Sequence, residues 1–278
     1  MLLFSFPGRL YCKMIRFTVA LLFGSLVATA QIRMSKLEVP AGETFVMEGT
    51  DTIEVDSLVL GDSASIHLNR EKLSNYIHAK VLSAGKSSRI LGHGDRGPNG
   101  KNGMPGTTPD GPCLKGTPGR HGANGEHGKN GTNLFLYVTS FVISGDLTVD
   151  LNGGNGGDAG KGGLGGGGSA GTRVCVGGTG GPGGNGGNGG NGGSGGSLTI
   201  SCKECHHHRL MLGNKLIVRT YAGYGGLGGD AGPGGLAGLG TGGPTSGDGM
   251  AGQRGRKGMK GITGKQGAIN FEAHTRNE

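Results

Sequence analysis

Tryptophan is absent from this 278-residue chain, and aromatic residues make up only 5% of it. A side-chain inventory that poor cannot fill an ordinary globular core of this size. Long apolar runs are scarce too. After Phe17 to Ala28, no segment has the length to cross a bilayer. No glycine stretch ends in the Lys-Ser/Thr pair of a phosphate loop, which removes the nucleotide-hydrolase reading. Asp51, Glu54, Asp56, Asp62 and Glu71 are scattered through the early chain, and no pair is spaced for acid–base work. Enzymatic activity is therefore not expected.

What the chain does have is glycine, 67 residues of it. The stretch from Gly153 to Gly195 sets the pattern. It runs GGNGGDAGKGGLGGGGSAG, breaks at TRVCV, and resumes as GGTGGPGGNGGNGGNGGSGG. Glycine falls on every third residue before the break, with Ala159 the exception, and a second glycine usually stands beside it. A period of three matches neither a helix at 3.6 nor a strand at 2. It matches the extended left-handed helix with three residues per turn.

The first 30 residues read as an export signal. Lys13 and Arg16 precede the apolar run, and Ala28-Thr29-Ala30 forms a cleavage site before Gln31. Met14 would serve as an alternative start. The residue at the cleavage point is Gln31 and not cysteine, so a lipoprotein is not expected. The net charge of +8 falls by the three charges of Arg9, Lys13 and Arg16 on cleavage. The remaining mild basicity does not call for nucleic acid. The expected location is secreted or cell-surface, with the periplasm as an alternative. Four cysteines remain, Cys113, Cys175, Cys202 and Cys205, and an even number in an exported chain favours disulfides.

Between Leu37 and Ile90 the chain reads as short strands, with Leu73 to Leu82 ambiguous between strand and short helix. Three glycine inserts follow, at 92–132, 152–196 and 222–267. Strand-like segments at 133–151, 197–221 and 268–275 separate and close them. The expected domains are a signal at 1–30, a strand region at 31–91 and a glycine-rich unit at 92–278. Strand, insert, strand, repeated three times, predicts a small β-solenoid or sheet base. Inward-facing residues are expected among Leu134, Leu136, Val138, Leu147, Val149, Leu198, Ile200, Leu210, Leu212, Leu216 and Val218.

Each insert breaks near its middle, at turn formers such as Pro109-Asp110-Gly111 and Ser246-Gly247-Asp248. An insert that returns to its base must double back, so each is expected to be a hairpin of two arms. An arm of ~15 residues would reach roughly 45 Å. An isolated three-fold helix has no internal hydrogen bonds, so the arms need lateral partners. Arms with two glycines per triplet can be surrounded. Arms with one, such as Gly116 to Gly131 and Gly249 to Gly267, must lie outside. The second insert is therefore expected at the centre. The expected fold is mostly irregular and all-β: a strand base carrying three hairpins packed as an antiparallel bundle.

These triplets and mid-tract turns resemble the polyglycine II bundle proteins, a group that includes the snow flea antifreeze protein and the tail-tip receptor-binding adhesins of some phages. The resemblance covers about Gly92 to Gly267. The flanking strands and the signal depart from the antifreeze protein. Arms such as GQRGRKGMKGITGKQG also resemble bacterial collagen-like repeats, although the chain has only 10 prolines and its tracts are short.

Four candidate sites stand out. Cys113 and Cys175 lie in the turns of the first two inserts, where a disulfide would join two tips. Cys202-Lys-Glu-Cys205-His206-His207-His208 is open to a local disulfide, to a metal such as zinc, or to haem attachment through C-x-x-C-H. The strand setting offers haem no pocket, so no resident cofactor is expected. Arg254, Lys257 and Lys260 form one row of a three-fold arm, with Arg256 and Lys265 in the adjacent row. That edge suits an anionic polymer or simply solvent. The Asn185, Asn188, Asn191 row would present a flat surface or lie between arms. Together these features predict a monomeric structural or adhesive protein, presenting tips at 107–115, 172–176 and 241–248 to a surface polysaccharide or protein. Ice binding, a trimeric collagen-like stalk and a polysaccharide-active solenoid enzyme are the alternatives.

Overall fold

The computed structural model describes residues 31–205, 212–244 and 246–272. The expected signal segment, His206 to His208 and Leu210 lie outside these residues. Among the described residues there is no helix. Eleven strands form two parallel sheets.

The longer strands are β1 (Gln31–Val39), β3 (Thr52–Leu60), β5 (Ser74–Ala84), β7 (Asn133–Ile143), β9 (Leu198–Cys202) and β11 (Ile269–Glu272). They make one sheet in that order. The shorter ones are β2 (Thr44–Val46), β4 (Ser65–His67), β6 (Ser88–Leu91), β8 (Leu147–Asp150) and β10 (Leu216–Arg219), which make the second sheet. The chain alternates between sheets, so each long strand, tight turn and short strand is one coil stacked on the last. The ambiguous stretch around Leu73 to Leu82 is strand β5, because each coil supplies a parallel neighbour for its backbone.

Register puts like residues on top of one another. Ile53, Ile77, Leu136 and Ile200 form one buried row, and Ile66, Ile90 and Val149 another. Branched aliphatic residues suit such stacked, pleated interiors. The first three turns from long to short strand use a left-handed residue: Gly42 at φ 74°, Ser63 at 58° and Ser87 at 53°. That conformation is uncommon for serine. Asp62 accepts the Lys86 N–H at 2.7 Å beside one such turn.

Early coils return from short to long strand in a few residues, at 47–51 and 68–73. Later coils make the same return through the glycine tracts. All three tracts therefore leave from one corner of the solenoid. Each consists of two arms: 93–107 and 116–131, 152–169 and 177–196, 221–239 and 249–267. We label them 1a, 1b, 2a, 2b, 3a and 3b.

A backbone hydrogen bond recurs at every third residue along the arms. Within the first tract Lys129, Glu126, Ala123 and Arg120 of arm 1b donate to Asp95, Pro98, Lys101 and Met104 of arm 1a, which runs the opposite way. Between tracts, arms of the same letter run parallel: Gly94, Gly97 and Gly100 donate to Asn152, Asn155 and Asp158 at 2.8 Å. The pattern links 1a, 2a and 3a as one layer and 1b, 2b and 3b as a second. Arms 2a and 2b each bond to four others. Both carry mostly two glycines per triplet, and the reason is steric. A Cβ on Gly187 would lie 2.1 Å from the Ala123 carbonyl oxygen, and one on Gly186 would lie 2.0 Å from that of Gly229.

The base sets this spacing. Parallel strands lie about 4.8 Å apart in the hydrogen-bonding direction. Successive tracts leave successive coils, so they start out at that separation.

Candidate functional site

The three breaks meet at the far end of the arms. Cys113, in the left-handed region at φ 64°, is disulfide-bonded to Cys175, with the Cα atoms 6.2 Å apart. The Cys113 N–H donates to the Ala170 carbonyl at 2.8 Å, and the Ser169 hydroxyl donates to the Pro109 carbonyl at 2.8 Å. The second turn is closed by the Thr172 N–H on the Cys175 carbonyl. The third is closed by the Ser246 N–H on the Gly243 carbonyl and the Gly240 N–H on the Asp248 carboxylate. Leu114, Val174 and Val176 stand exposed on this end, Val174 at 84%. The two turns that share the disulfide thus present aliphatic side chains to solvent from a cross-linked platform.

Cys202 and Cys205 form a second, local disulfide, with Cα atoms 5.6 Å apart. Sulfurs bonded to each other do not offer thiolates to zinc or vinyl-reactive thiols to haem. The three histidines that complete that motif lie outside the described residues. Among the described residues no group of three or more His, Cys, Asp or Glu is arranged to hold a metal ion.

The five cations Arg254, Arg256, Lys257, Lys260 and Lys265 all lie on arm 3b, at the open flank of the second layer. Lys257 Nζ approaches Asp230 of arm 3a at 3.5 Å. The backbone N–H groups of Arg256 and Lys265 are held by Asn185 Oδ1 and Ser194 Oγ of arm 2b. The row is therefore fixed along its backbone while most of its charged ends reach outward.

Asn185, Asn188 and Asn191 take the second of the two expected places, between arms in structural use. Each reaches sideways. Their Oδ1 atoms accept from the N–H groups of Arg256, Met259 and Ile262 at 2.8–2.9 Å. Their own N–H groups donate to His121 Nδ1, Asn124 Oδ1 and His127 Nδ1 on arm 1b. The same device joins the other layer, where Asn152, Asn155 and Asp158 accept from Tyr221, Tyr224 and Leu227. These latches satisfy amide groups at the bundle surface that no neighbouring backbone reaches.

A separate concavity crosses the outer face of the long-strand sheet. Strand pairing skips a residue at Ser35, Asp56, Lys80 and Thr139, and two successive residues, Asp56 and Ser57, face outward there. The resulting trough encloses about 500 Å³. On one side stands the row Arg33, Glu54, His78 and Tyr137; on the other stand Asp56, Lys80, Thr139 and Lys203. Arg33 pairs with Glu54 at 3.3 Å, and Lys80 with Asp56 at 2.8 Å. The His78 and Tyr137 rings stack at 4.7 Å, beside a second stack of Tyr76 on Phe135 at 4.9 Å. Partial burial, Glu272 and Tyr76 together push the Tyr137 phenol above its ordinary pKa, so it stays a hydrogen-bond donor. No sequence motif marks this trough, since its residues come from five strands and meet only through register. No family model matches this chain, and neither does a curated protein or a solved structure.

Proposed function

We propose that this chain is a secreted, non-enzymatic structural or adhesive protein. In this reading the arms are three-residue-per-turn polyglycine II helices, packed as a rigid bundle that carries the disulfide-joined tips away from the solenoid. The supporting observation is the glycine N–H to carbonyl hydrogen bond recurring at every third residue between arms of one chain. Lateral partners inside a single molecule supply what a lone three-fold helix lacks. They also favour a monomer over a three-chain collagen stalk. Two disulfides suit an oxidising compartment. The tips combine exposed aliphatic side chains with a fixed backbone, which is how recognition loops on rigid scaffolds are built.

Hydrogen exchange on the purified protein tests the scaffold, and adhesion tests the role. Amides of Gly160, Gly184 and Gly187 should exchange far more slowly than those of an unfolded peptide. Beads coated with the protein should bind a cell or matrix surface, and a Leu114→Ser, Val174→Ser, Val176→Ser variant should lose that binding with its melting temperature unchanged. Arm amides exchanging at coil rates would overturn the bundle. Adhesion indifferent to the tip variant would overturn the tips as the contact.

A further inference from the structure

We propose that the trough across the bend of the long-strand sheet binds a linear oligosaccharide built of pyranose rings. The site is built on the strand base and not on the bundle tips, and the inference does not depend on their role. Its shape comes first. The trough crosses β1, β3, β5, β7 and β9, so it extends about 19 Å at the spacing of parallel strands. That is a slot for a chain molecule, not a pit for a small metabolite.

Its chemistry narrows the occupant. The floor is strand backbone at Val55, Ala79 and Val138, whose side chains are buried in the core, and the apolar surface beside it is the stacked rings of His78 and Tyr137. The sides alternate donors and acceptors: guanidinium, carboxylate, imidazole and phenol along one, carboxylate, ammonium and hydroxyl along the other. A pyranose ring presents the matching combination, an apolar C–H face and a rim of hydroxyl groups. A few convergent polar groups around an apolar surface are the usual composition of a ligand site.

Other polymers fit less well. An extended peptide joins a sheet through a free strand edge, yet this trough runs across strands whose backbone groups are already paired in the ladder. Nucleic acid needs an excess of cations along its path. Here Arg33 and Lys80 are engaged by Glu54 and Asp56, and that leaves Lys203 as the cation in excess. The same ion pairs hold both carboxylates as hydrogen-bond acceptors, which suits retention of a glycan better than its cleavage.

Isothermal titration of the full, disulfide-intact protein with three hexasaccharides tests this. The probes are β-1,4-linked glucose, β-1,4-linked N-acetylglucosamine and α-1,4-linked galacturonate. At least one should bind with a Kd below about 1 mM. Tyr137→Phe, which keeps the ring stack and removes the hydroxyl, should weaken binding several-fold. Thr139→Trp, which fills the trough from the outer face, should weaken it more than tenfold. If Thr139→Trp disturbs folding, Tyr137→Phe with an unchanged melting temperature decides the matter. Binding of galacturonate alone, lost in Lys203→Gln, supports the site and assigns it an acidic glycan. No binding by any probe, or binding that both Tyr137→Phe and Thr139→Trp leave unchanged, would overturn it.

Discussion

The backbone N–H of Asn191 donates to Nδ1 of His127 at 2.8 Å, across the seam between arms 1b and 2b. His121 does the same for Asn185. Elsewhere along this seam the acceptor is Asn124 or Asn130, through Oδ1. An imidazole nitrogen and a carboxamide oxygen thus do one job at equivalent places. His127→Asn should therefore be tolerated, with a melting temperature close to that of the parent. His127→Leu, which leaves the Asn191 amide without its acceptor, should cost about 1 kcal/mol in chemical denaturation. Equal losses in both variants would mean that the ring acts through its bulk.

Glycine in the inner arms should be the least replaceable residue in the chain. A Cβ on Gly190 would meet the Glu126 carbonyl oxygen at 1.8 Å and its carbon at 2.4 Å. Both atoms belong to a backbone held in place by its own hydrogen bonds. Gly190→Ala should destabilise by at least ~2–3 kcal/mol, in line with overpacking of a close-packed interior. Replacing the variable third residue instead, as in Leu164→Ala at an exposed place, should move the midpoint little. The contrast is read from paired urea titrations.

The Cys113–Cys175 bond spans 62 residues of sequence and connects two tracts at their far ends. Closing so long a loop restricts the unfolded chain. Cys113→Ser should lower stability by ~2–4 kcal/mol. In a Cys202→Ser, Cys205→Ser background, which lacks the local pair, reducing agent should produce the same loss, and none beyond it once Cys113→Ser is added.

Acid should weaken the solenoid through His67. Burial, then Arg70, then His93 hold its pKa below the ordinary value of 6.5. The unfolded chain therefore binds a proton more readily than the folded one. Stability from this group is present above pH 6.5 and is lost as pH falls from there through the lowered folded value. The melting temperature should drop between pH 7.5 and 5.5. His67→Gln should flatten part of that drop, and a variant with the parent slope would refute the assignment.

Much of the architecture was legible because glycine periodicity and strand composition report on backbone geometry directly. The order of strand, tract and strand is written in segments such as Leu147 to Leu151. Turn residues such as Pro109-Asp110-Gly111 mark where the first tract reverses. What was hidden depends on neighbours remote in sequence. Asn191 has the same appearance whether it faces solvent or latches Ile262, because the answer lies 71 residues away. The trough was hidden for a related reason. Glu54, His78 and Tyr137 lie in different coils, and only a shared register aligns them. Leu73 to Leu82 was ambiguous because local propensity does not reveal that parallel strands flank it on both sides.

The latches between like-lettered arms hold constant offsets, 64 residues from 1b to 2b and 71 from 2b to 3b. A single residue inserted in one arm would slide every later latch out of step with its neighbour. Lengthening this molecule therefore comes in units of three, added to both halves of a hairpin at once, and a hairpin so extended would stand alone unless the adjacent ones grew with it. The three tracts are tied to a common height, as courses of brick are tied by their bond.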